Sequence, residues 1–282
     1  MCGIFGMVHY GENLLVYYEI RQIRDTLKSL LQLSEQRGTD ASGLCVVTAN
    51  MAHIFKDKKK GSELKDVKEL DKVLLEIASN QKLYSAFGHT RQKTKGTYLK
   101  NENNHPIIAN KTIGVHNGII FNDDILFTAY DDEIEREGKV DSEIIFRLID
   151  MHISNGKSIV SAVKEASREL IGSYACAFIH LDRPTYLTLF VGRFSDIVIQ
   201  DFRKEKMMIF ASTDAIINEA AKNMYIFKNP SSKLEVGKNT GVRINMTNGK
   251  LYTFDADNNM LLPLANTSHR GFPPGCGIGM PL

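Results

Sequence analysis

The sequence has no tryptophan, four cysteines and seven prolines in 282 residues. It also has no apolar run approaching the roughly 18 residues that a membrane helix requires. Each scarcity excludes something. Cys2, Cys45, Cys176 and Cys276 show neither CxxC nor finger spacing, so neither a disulfide framework nor a structural zinc site is implied. With 43% hydrophobic and 24% charged residues the chain is an ordinary globular one, and disorder, collagen and coiled coil are excluded. Lys plus Arg number 35 against 33 Asp plus Glu, a formal +2 that gives no general field to draw the chain onto nucleic acid or anionic lipid. The start, MCGIFGMVHY, lacks a basic n-region and a long apolar h-region, so a cytoplasmic location is expected.

What is present is periodicity. Ile20, Ile23, Leu27, Leu30 and Leu31 repeat on one face and predict a helix over 16–36, stopped by Arg37-Gly38. A hairpin fits 43–58, a second amphipathic helix 64–77, and short strands ending in polar residues 85–89 and 112–116. Ile144, Ile145, Leu148 and Ile149 predict a helix starting at Asp141, and another fits 159–170. Strands over 175–181, 186–192, 197–202 and 207–211 read as a meander, with a short helix over 214–222 after it. Strand runs separated by helix pairs point to layered α+β packing. Residues 1–255 read as one domain, and 256–282 as an extension without a domain of its own, carrying three prolines and four glycines after Arg270. The lysine-rich run 56–60 reads as a solvated turn.

The strongest chemical feature is a cysteine directly after the initiator methionine. Once Met1 is removed, Cys2 carries a thiol and a free α-amine on one residue. An amine with a pKa of about 7.7–8.0 is partly neutral near neutrality and accepts the thiol proton, directly or through a water. Nucleophile and base then come as one unit. Taken alone, Cys2 reads more readily as a buried cysteine at the start of a strand.

The remaining motifs change that balance. Cys2-Gly3-Ile4-Phe5-Gly6, Arg37-Gly38-Thr39-Asp40-Ala41-Ser42-Gly43, Gly88-His89-Thr90-Arg91, His116-Asn117-Gly118, Asp141-Ser142-Glu143, Gly172-Ser173-Tyr174-Ala175 and Ser212-Thr213-Asp214 follow in sequence. Their order and spacing resemble the class II glutamine amidotransferases, the glutaminase domains of glucosamine-6-phosphate synthase and amidophosphoribosyltransferase among them, over roughly residues 2–245. The resemblance implies an αββα four-layer sandwich of the N-terminal nucleophile hydrolase type, two packed antiparallel sheets with outer helices. It further implies hydrolysis of L-glutamine to glutamate and ammonia through a γ-glutamyl thioester on Cys2, without metal or organic cofactor.

By the same resemblance, the Asn117 side chain and the Gly118 N–H form the oxyanion hole. Arg91 grips the glutamine α-carboxylate, Asp141 receives its α-amino group, Gly38 and Arg37 lie near substrate and nucleophile, and Thr94 matches the loop over the site. Each residue has a plainer reading. Asn117-Gly118 is a strong type I′ turn signal, Arg91 suits a surface ion pair, Asp141 a helix N-cap and Gly38 a helix C-cap.

Two departures stand out. In the glucosamine-6-phosphate synthase branch a tryptophan follows the arginine on a mobile loop, whereas here Arg91 is followed by Gln92-Lys93-Thr94-Lys95-Gly96, a polar lid that excludes water less well. The sequence also shows neither a P-loop nor a Ser-Gly-Gly pyrophosphatase signature. The expected partners are therefore L-glutamine and a separate ammonia-acceptor synthase subunit, or a homo-oligomer. Two alternatives are a non-catalytic glutamine-binding regulatory subunit and an N-terminal nucleophile amidohydrolase acting on another amide. Arg91 with Asp141, suited to an amino acid with both α groups free, speaks against the latter.

Overall fold

A computed structural model describes residues 2–263 apart from 12–14, 81, 194–195, 223–229, 231 and 256–257. The proline- and glycine-rich segment 264–282, read above as part of an extension, lies outside the described residues.

Fourteen strands form two sheets of seven among the described residues. The first sheet contains β1 (Gly3–His9), β2 (Ala41–Thr48), β3 (Ala52–Asp57), β4 (Leu83–Arg91), β9 (Ile197–Phe202), β10 (Met207–Ala211) and β11 (Ser232–Val236). The second contains β5 (Ile107–Ala109), β6 (Thr112–Ile120), β7 (Gly172–His180), β8 (Tyr186–Val191), β12 (Thr240–Asn245), β13 (Leu251–Asp255) and β14 (Asn258–Pro263). Their orders are β11-β9-β10-β1-β4-β2-β3 and β14-β13-β12-β8-β7-β6-β5. Neighbouring strands run antiparallel. Helices α1 (Tyr17–Ser34), α2 (Gly61–Leu64), α3 (Lys68–Asn80) and α7 (Asp214–Lys222) serve the first sheet, and α4 (Asp123–Ala129), α5 (Ser142–Ser154) and α6 (Ile159–Glu169) the second.

The four layers follow from period-two alternation in strands buried on both faces. In β1, Phe5 and Met7 join Ile23, Leu27 and Leu30 of α1 in one core, while Ile4 and Val8 join Val115, Ala175, Ala177 and Leu189 of the second sheet in another. A third core packs Phe146 and Ile149 of α5 and Val163 of α6 against Cys176, Phe178 and Phe190. The architecture is the expected αββα sandwich.

Three local readings are corrected by the structure. The four strands over 175–211 are not one meander: β7 and β8 pair in the second sheet, β9 and β10 in the first. The chain crosses between sheets after Val191, because β8 finds its other neighbour in β12, far along the sequence. The helix expected over 64–77 is α3, which begins only at Lys68, after the short α2 that ends at Leu64. Asn117-Gly118 is not a turn but lies inside β6, with Asn117 opposite Ala175 and Gly118 opposite Tyr174.

At one end of the second sheet, buried Asp150 of α5 accepts hydrogen bonds from Thr112 Oγ1 (3.0 Å), Asn110 Nδ2 (3.2 Å) and Lys111 N (3.1 Å) and faces His180 Nε2 at 3.6 Å. Burial alone raises its pKa, but the bonds from His180, Thr112, Asn110 and Lys111 outweigh that and hold it below the ordinary carboxylate value. The stabilisation is therefore present above the unfolded value of about 3.9 and is lost as pH falls through the lower folded value. Asp150→Ala is expected to cost about 1–3 kcal/mol at neutral pH. The gap from the unaltered protein should shrink on acidification to about pH 3, as read by urea unfolding at several pH values.

Candidate active site

The site lies at one end of the inter-sheet layer. Cys2 continues the alternation that points Ile4 and Val8 between the sheets, and Asn117 shares a face of β6 with Val115. The two sheets thus bring Cys2 and Asn117 to the same cleft. That cleft has a volume of about 350 Å³ and is lined by Cys2, Arg37, Gln92, Thr94, Asn117 and Gly118, with Ile119, Ser173, Asp196 and Ser212.

Hydrogen bonds to the backbone fix Cys2 and the strand it leads into. Arg37 Nε donates to the Cys2 carbonyl at 2.9 Å, and Ile4 N donates to Ser212 Oγ at 2.9 Å while Ser212 N returns a bond to Ile4 O at 2.9 Å. The thiol sits beside the backbone of Gln92, whose N–H donates to Sγ at 3.3 Å. Burial raises the Cys2 pKa, and the Gln92 N–H and the Arg91 charge oppose that rise. Cys45 and Cys176 are fully buried without such donors, and burial raises both thiols far more.

Gly118 is where the backbone departs from ordinary strand geometry. Its φ of +151° disfavours an L side chain, and a Cβ there would overlap the Ser173 carbonyl oxygen of the neighbouring strand. Directly behind it, His116 bonds Ser142 Oγ through Nδ1 (2.7 Å) and approaches Ser173 O through Nε2 (3.4 Å). Asp141 Oδ2 accepts from Ile120 N at 2.8 Å. Asp141 occupies the N-cap position of α5, but its side chain does not cap that helix. It ties the helix start to the end of β6 instead. Burial pushes the His116 pKa down, opposed by the Asp141 charge.

Arg91, Asp141 and Gly38 stand behind the cleft wall rather than among its lining residues. Arg91 is not a surface residue: it is 2% exposed. It donates to Asn104 Oδ1 (2.8 Å) and to the carbonyls of Lys95 (2.6 Å) and Gly96 (3.1 Å), so its guanidinium holds the polar loop that follows it. Gly38 does not end α1 in a left-handed conformation. Its φ is −176°, after a 3-10 turn over Glu35–Arg37, and the missing Cβ is what lets the Arg91–Gln92 peptide pass. The same loop is pinned at Lys95, whose Nζ bonds Asp123 (2.6 Å) and Asp124 (2.8 Å), both also held by Arg136.

The sequence motifs pointed to the Ser173 and Ser212 segments without assigning their roles. Nothing in the sequence marked Asp196 or the Arg91–Asn104 bond. Among the described residues no cluster of His, Cys, Asp and Glu could hold a metal ion.

No protein-family model matches the chain. It is 29% identical over 194 residues to glutamine--fructose-6-phosphate aminotransferase [isomerizing] of Halalkalibacterium halodurans, covering 68% of this chain and 29% of the relative. The protein of the same description from Bacillus subtilis is 28% identical over 195 residues, with the same coverage. The chain thus spans less than a third of the length of the curated relatives it matches. Among solved structures, glutamine phosphoribosylpyrophosphate amidotransferase from B. subtilis superimposes with a TM-score of 0.66 at 19% identity, covering 92% of this chain and 50% of that one. The fold is therefore that of the class II, N-terminal nucleophile amidotransferases. The homologues of this chain are glutamine amidotransferases of that class.

Gly118→Ala places a methyl group against Ser173 O in a disfavoured backbone region. It is expected to destabilise the protein by about 1–3 kcal/mol and to lower its thermal midpoint, checked by calorimetry.

Proposed function

We propose that the chain is a glutaminase that hydrolyses L-glutamine through a γ-glutamyl thioester on Cys2 and supplies ammonia to a separate acceptor enzyme. The observation that carries this reading is the meeting of Cys2, from the start of the first sheet, with Asn117 and the distorted Gly118 of the second in one cleft. Homology to glutamine-dependent aminotransferases supports the substrate. Residues 1–255 form the glutaminase unit and 256–282 its extension, with β14 carrying the second sheet into that extension. Among the described residues no helix is long and apolar enough to cross a membrane, and a cytoplasmic setting fits this reading.

With Met1 removed, the α-amine of Cys2 takes the thiol proton and the thiolate attacks the side-chain carbonyl carbon of glutamine. The Asn117 amide and Gly118 N–H receive the negative charge on oxygen. The C–N bond then breaks, the α-ammonium returns its proton to the leaving nitrogen, and ammonia departs. Water, losing a proton to the same amine, hydrolyses the thioester and frees glutamate and the thiol. Arg91 and Asp141 serve the free α-carboxylate and α-amino groups. Lys95 O, Gly96 O and Asn104 Oδ1 take three of the five Arg91 N–H donors, which leaves Nε–H and one Nη1–H for the substrate carboxylate.

An electrophilic glutamine analogue should add once, on a Cys2 that has lost Met1, as read by intact and peptide mass. A retained Met1, or an unlabelled processed Cys2, would overturn the mechanism. The variants divide by role: Asn117→Ala should lower kcat by about 10²–10³ with little change in KM. Arg91→Lys should act mainly by raising KM, about tenfold or more, in steady-state glutamate production. An unchanged KM removes Arg91 from the clamp.

A further inference from the structure

Beside the cleft mouth lies an apolar surface that the fold does not need. Phe121 is 73% exposed, Ile125 70%, Ile171 62% and Ile119 40%. They form one patch. Ile119 and Phe121 are two residues apart at the end of β6, and Phe121 N donates to Ile171 O at 2.8 Å while Ile171 N donates to Asn122 Oδ1 at 2.9 Å. Ile125 sits on the exposed side of α4, which begins immediately after. The intervening Ile120, Leu126 and Phe127 already supply the core beneath, so burial within this chain does not account for the outward side chains. Ile119 also lines the cleft with Cys2, which makes the patch continuous with the site.

On the α4 side its rim is acidic, while Arg168 and Arg193 flank Ile171 at the other end. Asp124 is exposed on α4, and the segment after that helix, Asp131-Asp132-Glu133-Ile134-Glu135-Arg136-Glu137, carries five acids. Its one arginine is bonded to Asp123 and Asp124. A symmetric contact with a second copy would set these acids against themselves. Residues 264–282 hold a single arginine, Arg270, and no lysine, which gives them little to match that rim.

We propose that Ile119, Phe121, Ile125 and Ile171 dock a separate protein that presents an apolar patch rimmed by lysine and arginine, and that this protein is the ammonia acceptor. The identity of the partner as acceptor rests on the glutaminase reading. Ammonia released into neutral water is mostly protonated and no longer nucleophilic, so its consumer must abut the cleft, and this is the apolar face at its edge. Docking also reaches the loop: Asp124, on the acidic side of the surface, holds Lys95 at 2.8 Å, and a basic group from the partner competes for that carboxylate.

The test replaces Phe121 with a photoreactive benzoylphenylalanine in the full chain expressed in its native cells. Met51, exposed on the turn between β2 and β3 of the other sheet, carries the same group as control. The chain captured from position 121 is identified by mass spectrometry, purified, and titrated against the unmodified protein. The expected result is a chain other than this one that accelerates glutamine turnover and binds more weakly at higher salt. Phe121→Glu should weaken that binding about 30-fold or more, and Asp131→Lys combined with Asp132→Lys about tenfold. Capture of a second copy or of residues 264–282, capture no greater than from position 51, or binding indifferent to Phe121→Glu overturns the proposal. Labelling of Cys2 by the glutamine analogue, retained in Phe121→Glu, separates the two ideas. Its failure in the unaltered protein overturns the glutaminase reading, while capture and affinity still decide the docking surface.

Discussion

The layer between the two sheets holds the site together. Ile4, Val8, Cys45 and Phe87 of one sheet and Val115, Ala175, Ala177 and Leu189 of the other form an apolar core in which strand neighbours cannot shift by one residue without exposing it. That constraint sets the register of β1 and β6, and through it the meeting of Cys2 with Asn117. Neither sheet contains the site alone. Everything chemical at the cleft is built at the edge of this dry layer, where strand ends deliver polar groups and the core fixes where they point.

Behind the cleft wall a second set of contacts sets its shape. His116 to Ser142 and Asp141 to Ile120 N join β6 to the start of α5 at two successive residues of the helix end. The Arg91 guanidinium, buried and spread over Asn104 and two loop carbonyls, joins β4 to the loop that rims the opening. The loop is therefore ordered by charged and polar contacts rather than by an aromatic cover: Arg91 at its base and the Lys95–Asp123–Asp124–Arg136 cluster at its flank. Asp124 is exposed yet its pKa is pulled down to about 2 by the Arg136 and Lys95 bonds. Only the Asp124 pairs are exposed and individually weak in water, whereas Arg91 and Asp123 are buried.

The three described thiols differ in environment. All three described thiols are raised by burial, but only Cys2 meets a backbone N–H and an arginine field that oppose the rise. Cys45 and Cys176 serve as small apolar residues in β2 and β7.

The sequence determined a good deal. The apolar periodicity of α1 and α5, the strands β9 and β10 and the helix α7 were legible because each is set by contacts close along the chain. The motif series from Cys2 to Ser212 carried the class of fold and the identity of the candidate residues. Several things depended on partners distant in sequence and were decided only by tertiary structure. Asn117-Gly118 looks locally like a turn, and it is pairing with β7 that makes it strand. The 175–211 strands look like one meander, and it is β12 that draws β8 into the other sheet. Asp141 sits where an N-cap belongs, yet its carboxylate serves Ile120, and the Gly38 Cβ is excluded by the Arg91–Gln92 peptide rather than by a left-handed cap. Local propensity acts over a few residues, whereas hydrogen-bond partners and steric neighbours are assigned when the two sheets pack.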